Sequence, residues 1–445
     1  MRSGKRAERA GAQHVRPRRG GGLRRAAALA AVAALAVVPV VVAVEVASAT
    51  GYVLPVDSLG LEPAAGNLTD GFCESTVGTC TLRAAIEEAN ALKGAPGDVT
   101  ITVHPSFAGG VIPLDNAVGT RMLTTSPSSG ATVTGDAGAY LVVTQPVTID
   151  LGHRIKLQDA APTTAESASA AVFYLNGPDI TVRGVDDTYS SQTTFYVGPQ
   201  ATRVSITDGS VTTPNTDAKR FLVVRGGASN VTLRGYQVSG YGSLGTAADA
   251  PTQGWVMVDG ATVSPVMDLL VDGNTFTVAT PGARCDTSTA AGCTAPAVNF
   301  NSAVGQQATR FTFSNNVVRG LNQRGENWHA GIDMGRAKLT DTVISGNTFE
   351  DCQMSGADAS ALIEMNTHST SSMAVIDGIR IDHNAFSGLR TAVEGGINSG
   401  VIRFPGIGGR SRASRRWSTT TSRPARASSG RRRSRGCRPG ALPPR

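Results

Sequence analysis

The chain has 445 residues, 52 of them glycine, and aromatic residues make up only 5%. That balance fits a turn-rich all-β protein and argues against a helical bundle. The formal charge of +7 sits at the ends: residues 1–49 hold 9 Lys/Arg and 2 acids, residues 408–445 hold 12 Arg and no acid, and the body between carries 20 basic against 32 acidic residues, a net of −12. An acidic body repels phosphate backbones, so no nucleic-acid partner is expected despite the basic isoelectric point.

Residues 1–49 predict an export signal. An arginine-rich stretch ending at Arg24-Arg25 leads into an apolar run from Ala26 to Val44, and Ala47-Ser48-Ala49 forms a small-residue cleavage site. The run is long enough to span a bilayer if left uncleaved, which is the one membrane attachment expected. Pro39 inside the run favours cleavage. The pairs Arg18-Arg19 and Arg24-Arg25 hint at the twin-arginine route. An extracellular or cell-surface location follows.

Six cysteines suit an oxidising compartment. Cys73 lies near Cys80 and Cys285 near Cys293, so two local disulfides are expected. Zinc is the rival for each pair, but no histidine or further cysteine stands at ligand spacing, so no metal site is expected. Cys352 and Cys437 are left over.

Residues 81–93 predict a short amphipathic helix, with Leu82, Ala85, Ile86 and Ala89 on one face and Gly94 as the stop. Asp70-Gly71-Phe72-Cys73 precedes it, Cys80-Thr81-Leu82-Arg83-Ala84-Ala85 opens it, and Ile101-Thr102-Val103 follows. Together, over residues 50–118, these resemble the CSLREA-type amino-terminal module of exported bacterial proteins, often found ahead of β-helices. Ala84 stands where that motif has Glu, so Thr81 keeps its capping role but loses the reciprocal bond of a capping box. The resemblance implies a cap over an open apolar end and brings no catalytic residue.

Farther on a pattern recurs every few tens of residues. Short alternating strands run from Phe173-Tyr174-Leu175 through Phe195-Tyr196-Val197, Leu222-Val223-Val224, Val256-Met257-Val258, Val298-Asn299-Phe300, Ile332-Asp333-Met334 and Ile363-Glu364-Met365 to Ile402-Arg403-Phe404. A second strand follows each of the first seven, from Ile180-Thr181-Val182 to Ile379-Arg380-Ile381. Outer residues of each triplet are apolar and the middle one varies, which is period-two alternation with the middle side chain pointing away from the core. Repetition of this length marks a solenoid.

After the later second strands, Asn274, Asn316, Asn347 and Asn384 recur in near-identical phrases such as Ile344-Ser345-Gly346-Asn347-Thr348-Phe349. Asn tolerates left-handed backbone angles at bends, and its amide both donates and accepts, so stacked copies can bond one another. This resembles the asparagine ladder of right-handed parallel β-helix proteins, the group that includes pectate lyases and many bacterial surface proteins. The expected fold is therefore all-β, a right-handed parallel β-helix over 119–407 with an amino-terminal capping α-helix, and a monomer.

Residues 408–445 read as a basic low-complexity tail or as the product of a shifted frame. Trp417-Ser418-Thr419-Thr420-Thr421-Ser422-Arg423 can be encoded so that the same bases, read two later, give Val-Asp-Asn-Asp-Phe-Thr, close to Val271–Thr277. That phrase would supply the second strand absent after Ile402-Arg403-Phe404.

In-register stacking aligns the middle residues Tyr174, Tyr196, Val223, Met257, Asn299, Asp333, Glu364 and Arg403 on one outward row, ~4.8 Å apart. Asp333 and Glu364 are then adjacent carboxylates, the arrangement that gives one acid and one base. Arg403 beside them could neutralise a uronate. Trp328 and His329 lie just before Asp333, and Asn299 beside it, as candidate sugar contacts, with His368 after the Glu364 strand. The plainer expectation is a solvated charge ladder with no catalysis. Calcium at Asp186-Asp187 is conceivable, but no loop motif supports it and no cofactor is expected. The function read from the chain is a secreted or cell-surface β-helix scaffold that binds glycans or adheres; the alternative is a polysaccharide lyase or glycoside hydrolase acting on the face around Asp333 and Glu364.

Overall fold

A computed structural model describes residues 51–94, 97–114, 121–123, 138–159, 171–188, 193–212, 220–241, 254–259, 264–278, 294, 296–300, 307–323, 331–334, 337–354, 361–364, 375–391 and 400–403. Their strands stack into three long sheets with parallel pairing throughout. One coil shows the plan. Val147–Asp150 lies in the first sheet and Ile155–Asp159 in the third. Ala171–Leu175 then lies in the second, and Ile180–Arg183 returns to the first, directly above Val147–Asp150. Each strand pairs with its equivalent one coil on, which makes a parallel β-helix. The described first sheet has eleven strands, the second and third nine each. A small sheet of Asn322–Gln323, Gln353–Met354 and Arg390–Thr391 is added in the later coils.

Alternation builds the interior. Val298, Ile332 and Ile363 are register neighbours in the second sheet and are fully buried. Ile149, Val182, Ile206, Leu233, Val271, Phe313 and Ile344 do the same in the first. The third sheet stacks Leu157, Asp187, Val211, Val238, Phe276, Val318 and Phe349. Asp187 breaks the apolar series. Its carboxylate is 1% exposed and accepts a hydrogen bond from the buried Thr194 hydroxyl at 3.0 Å. Nothing in the alternation pattern signals it, because Asp186 and Asp187 are adjacent acids with no apolar residue between them to mark the inward position.

Seven successive coils hold a left-handed residue where the first sheet turns into the third: Gly184, Asp208, Gly235, Gly273, Asn315, Gly346 and His383, with φ from 54° to 73°. The ladder asparagines are the next residues, and they are not themselves left-handed. The bend is thus made by the preceding residue, and the asparagine serves the interior. The amide oxygens of Asn316, Asn347 and Asn384 each accept both the backbone and the side-chain N–H of the asparagine one coil earlier, while that of Asn274 accepts from the Tyr236 backbone N–H. Asn274 donates to Asn316 at 2.9 and 3.0 Å, Asn316 to Asn347 at 3.0 and 3.1 Å, and Asn347 to Asn384 at 3.0 and 2.9 Å. Each side-chain nitrogen also donates to a carbonyl, Asn316 to Val271 and Asn347 to Phe313, both at 2.9 Å. The ladder amides placed at the core are therefore paired.

The stacked sheets run back to Tyr52–Val56, which pairs with Val99–Val103 in the first sheet. Between these strands lies helix α1, Leu82–Leu92. Thr81 caps it, accepting from the Ala84 N–H at 3.0 Å and donating to the Glu62 carbonyl at 2.7 Å. The far cap is Lys93 in a left-handed conformation, one residue before the expected Gly94. Leu82, Ala85, Ile86 and Ala89 are buried against the first coils. Asn90 anchors the helix to the second sheet, donating to Val142 O at 2.7 Å and accepting from Thr144 N at 2.8 Å. A Cys73–Cys80 disulfide ties the preceding loop to the helix start, with Cα atoms 5.1 Å apart. Cys285 and Cys293 lie outside the described residues. No helix among the described residues is long and apolar enough to cross a membrane.

Candidate functional site

The outward row of the second sheet is in register from end to end. Tyr174 pairs with Tyr196, Tyr196 with Val223, Val223 with Met257, Met257 with Asn299, Asn299 with Asp333, Asp333 with Glu364, and Glu364 with Arg403. Because Ile332 and Ile363 point into the core, Asp333 and Glu364 point the opposite way on adjacent strands.

This row is not a solvated ladder. Tyr196, Val223 and Met257 are at most 2% exposed and form a second apolar cluster with Ala139 and Ala171 on the outer face. Asn299, Asp333 and Glu364 are 2%, 5% and 4% exposed. The expectation that outward strand positions face water fails here because period-two alternation sorts side chains by sheet face and says nothing about what covers the outer face. The outer faces of the other two sheets behave as alternation alone predicts. Thr148, Thr181, Ser205, Thr232 and Thr312 are partly exposed in the first sheet, and Ser210, Gln237 and Thr275 are exposed or half-exposed in the third.

The sequence-predicted site is therefore assembled in part. Asn299, Asp333 and Glu364 come together as a buried polar run along three coils. Arg403 is the strand partner of Glu364. Trp328, His329 and His368 lie outside the described residues.

Asp186 and Asp187 do not make a joint ion site, since alternation sends them to opposite faces. Asp187 points inward to Thr194, while Asp186 faces out, accepting from Ser210 Oγ at 2.6 Å and lying 3.1 Å from His153 Nδ1. Among the described residues no group of three or more His, Cys, Asp or Glu side chains is placed to hold a metal.

At the amino-terminal end of the same face the sequence reading passed over a polar cluster. The next outward position after each middle residue holds Asn176, Gly198, Arg225 and Asp259 in successive coils. Arg225 and Asp259 are register partners joined by an ion pair. The signal was present but diluted, because these residues sit at strand ends, where polar residues are expected anyway.

Fold and face together define a parallel β-helix protein with one covered strand face that changes from aromatic and aliphatic to acidic along its length. Neither a family model nor a curated protein sequence matches the chain. Among solved structures, a double mutant of the tailspike protein of E. coli bacteriophage HK620 superposes with a TM-score of 0.32 at 12% identity, over 68% of this chain and 62% of that one. The catalytic domain of a GH87 α-1,3-glucanase in complex with nigerose superposes with a TM-score of 0.33 at 8% identity, over 80% of this chain and 64% of that one. The chain spans less than two thirds of the length of each. Overlaps of this quality transfer neither an activity nor a site.

Proposed function

We propose that this protein is an exported β-helix scaffold that engages a glycan through the polar run Asn299, Asp333 and Glu364. The observation that carries this reading is the register pairing of Asp333 with Glu364, both about 95% withdrawn from water on the face opposite the core. Carboxylates and amides in a row are acceptors and donors suited to sugar hydroxyls. The signal-like residues 1–49 and the Cys73–Cys80 disulfide support a setting outside the cytoplasm.

The same burial favours a second reading, cleavage of a polysaccharide by this pair. Glycoside cleavage uses two acids flanking the scissile bond, and a retaining mechanism needs them ~5–5.5 Å apart. Adjacent parallel strands set a comparable spacing.

A glycan array and a polysaccharide cleavage assay test both. Wild-type protein is expected to bind at least one glycan, and Asp333→Asn and Glu364→Gln each to weaken that binding about ten-fold or more, roughly the loss of one charge-assisted hydrogen bond. Product release by the wild type that both substitutions abolish establishes the hydrolase or lyase. Binding that neither substitution changes removes this run from the function.

A further inference from the structure

The aromatic end of the covered face holds a buried hydroxyl with no partner. Tyr196 is 1% exposed and its phenol oxygen makes no hydrogen bond. A buried, unmet hydroxyl costs about 1–3 kcal/mol, and native proteins keep few of them. Phenylalanine would fill the same space without that cost; the Tyr236 hydroxyl is also unmet, but it lies inside the solenoid, whereas Tyr196 is on the outer face beside the partly open Tyr174.

Aromatic and polar side chains surround Tyr196. Its strand partner Tyr174 lies edge-on with ring centroids 5.8 Å apart and, unlike Tyr196, is partly open to solvent. Beside them, position 198 has no side chain, and a Cβ there would stand 2.3 Å from Asn176 Oδ1 and 2.8 Å from the Tyr174 ring. Gly198 therefore lets an amide and an aromatic ring close over the strand. Arg225 and Asp259, paired with each other, complete the cluster.

We propose that Tyr174, Tyr196, Asn176 and the Arg225–Asp259 pair form a binding point for a neutral sugar unit, separate from the acidic run. Tyr174 offers an apolar ring face, and the Tyr196 hydroxyl, the Asn176 amide and the Arg225 guanidinium offer directed polar contacts. The sugar is neutral because the charge of Arg225 is matched by Asp259 and the two adjacent carboxylates farther along the face, Asp333 and Glu364, repel an anionic chain. Burial pushes the Tyr196 phenol up to about 12, with Arg225 and Arg220 opposing, so the group stays a hydrogen-bond donor at any ordinary pH. Tyr174 and Asp333 are five strands apart, ~24 Å at the usual spacing, so one monosaccharide cannot reach both. The inference rests on the glycan reading above and gives it a ligand class: a neutral oligosaccharide or polysaccharide.

The test uses the full chain on an array carrying neutral and uronate-containing oligosaccharides, with thermal melting of every variant. Tyr196→Phe is the informative change. It is expected to melt at or above the wild-type temperature and to bind a neutral oligosaccharide about ten-fold more weakly, which is about 1.4 kcal/mol. Tyr174→Ala and Arg225→Gln are expected to weaken the same ligand.

Unchanged binding by Tyr196→Phe and Tyr174→Ala overturns the inference, even if Tyr196→Phe changes stability, because the hydroxyl then serves only the interior. Preference of the wild type for uronates over neutral chains also overturns it. If the tyrosine variants bind normally while Asp333→Asn and Glu364→Gln do not, the acidic-run reading stands alone. The reverse pattern leaves the tyrosine site and removes the acidic run. A wild type that binds nothing on the array overturns both.

Discussion

The Asn347 side-chain oxygen accepts two hydrogen bonds from Asn316 one coil earlier, 3.0 Å from its backbone nitrogen and 3.1 Å from its amide nitrogen. In turn, Asn316 does the same for Asn274 and also donates to the Val271 carbonyl at 2.9 Å. One side chain thus satisfies polar groups in the coils on both sides. Asn316→Leu should leave the Asn274 backbone N–H and the Val271 carbonyl without these partners inside the core. The expected loss is about 2–4 kcal/mol, from at least two buried groups at ~1–3 kcal/mol each. Urea denaturation followed by circular dichroism measures it, and a loss under about 0.5 kcal/mol would show that the ladder is ornamental to stability.

The Cys73–Cys80 bridge closes a loop with sequence separation 7. In the chain-entropy account such a short loop is worth about 2–3 kcal/mol. The double variant Cys73→Ser, Cys80→Ser is therefore expected to melt earlier, with α1 more open to amide hydrogen exchange than the later coils. Equal exchange rates in α1 with and without the bridge would contradict a local role.

Exposed ion pairs along the first sheet link stability to acid. A hydrogen bond from Arg203 holds the Asp179 carboxyl below its ordinary range, and one from Arg310 does the same for Asp268. Their contribution is fully present above the unfolded-state pKa near 4 and is lost as pH falls through the lower folded-state values. Solvent screens both pairs, so the effect is modest. The stability gap between wild type and Asp268→Asn should narrow as pH drops below about 4 in denaturation curves taken at several pH values. A gap that widens toward acid would reverse the assignment.

Cys352 is a free, fully buried thiol, 3.5 Å from the Glu350 carbonyl, and burial pushes its pKa up to about 12. Thiolate is the reactive form. At pH 8 in native buffer the residue should resist iodoacetamide for hours and become labelled only when denaturant opens the coil. Rapid native labelling detected at Cys352 by mass spectrometry would show that this part of the solenoid opens readily.

Much of the architecture was legible in the chain because a solenoid is held together by neighbours one repeat apart. The triplets around Val298, Ile332 and Ile363 and the phrases around Asn316 and Asn347 repeat with the coil, so a local pattern carries the long-range contact. The third strand of each coil was harder to see. It holds as few as three residues, as in Asp186–Thr188, too short for alternation to stand out. The acidic run was legible as a row, since register follows from the repeat, but its surroundings were not.

Chain order and alternation alone decided which residues face the interior, that the coils stack, and that Asp333 and Glu364 are strand neighbours. The tertiary structure alone decided that Asp187 is buried beside Thr194, that the Tyr196 hydroxyl is enclosed, and that one outer face is covered while the other two stay open. The reason is physical. Backbone pairing is fixed by local periodicity, whereas burial of an outward side chain depends on what packs over the sheet face, which no periodicity records.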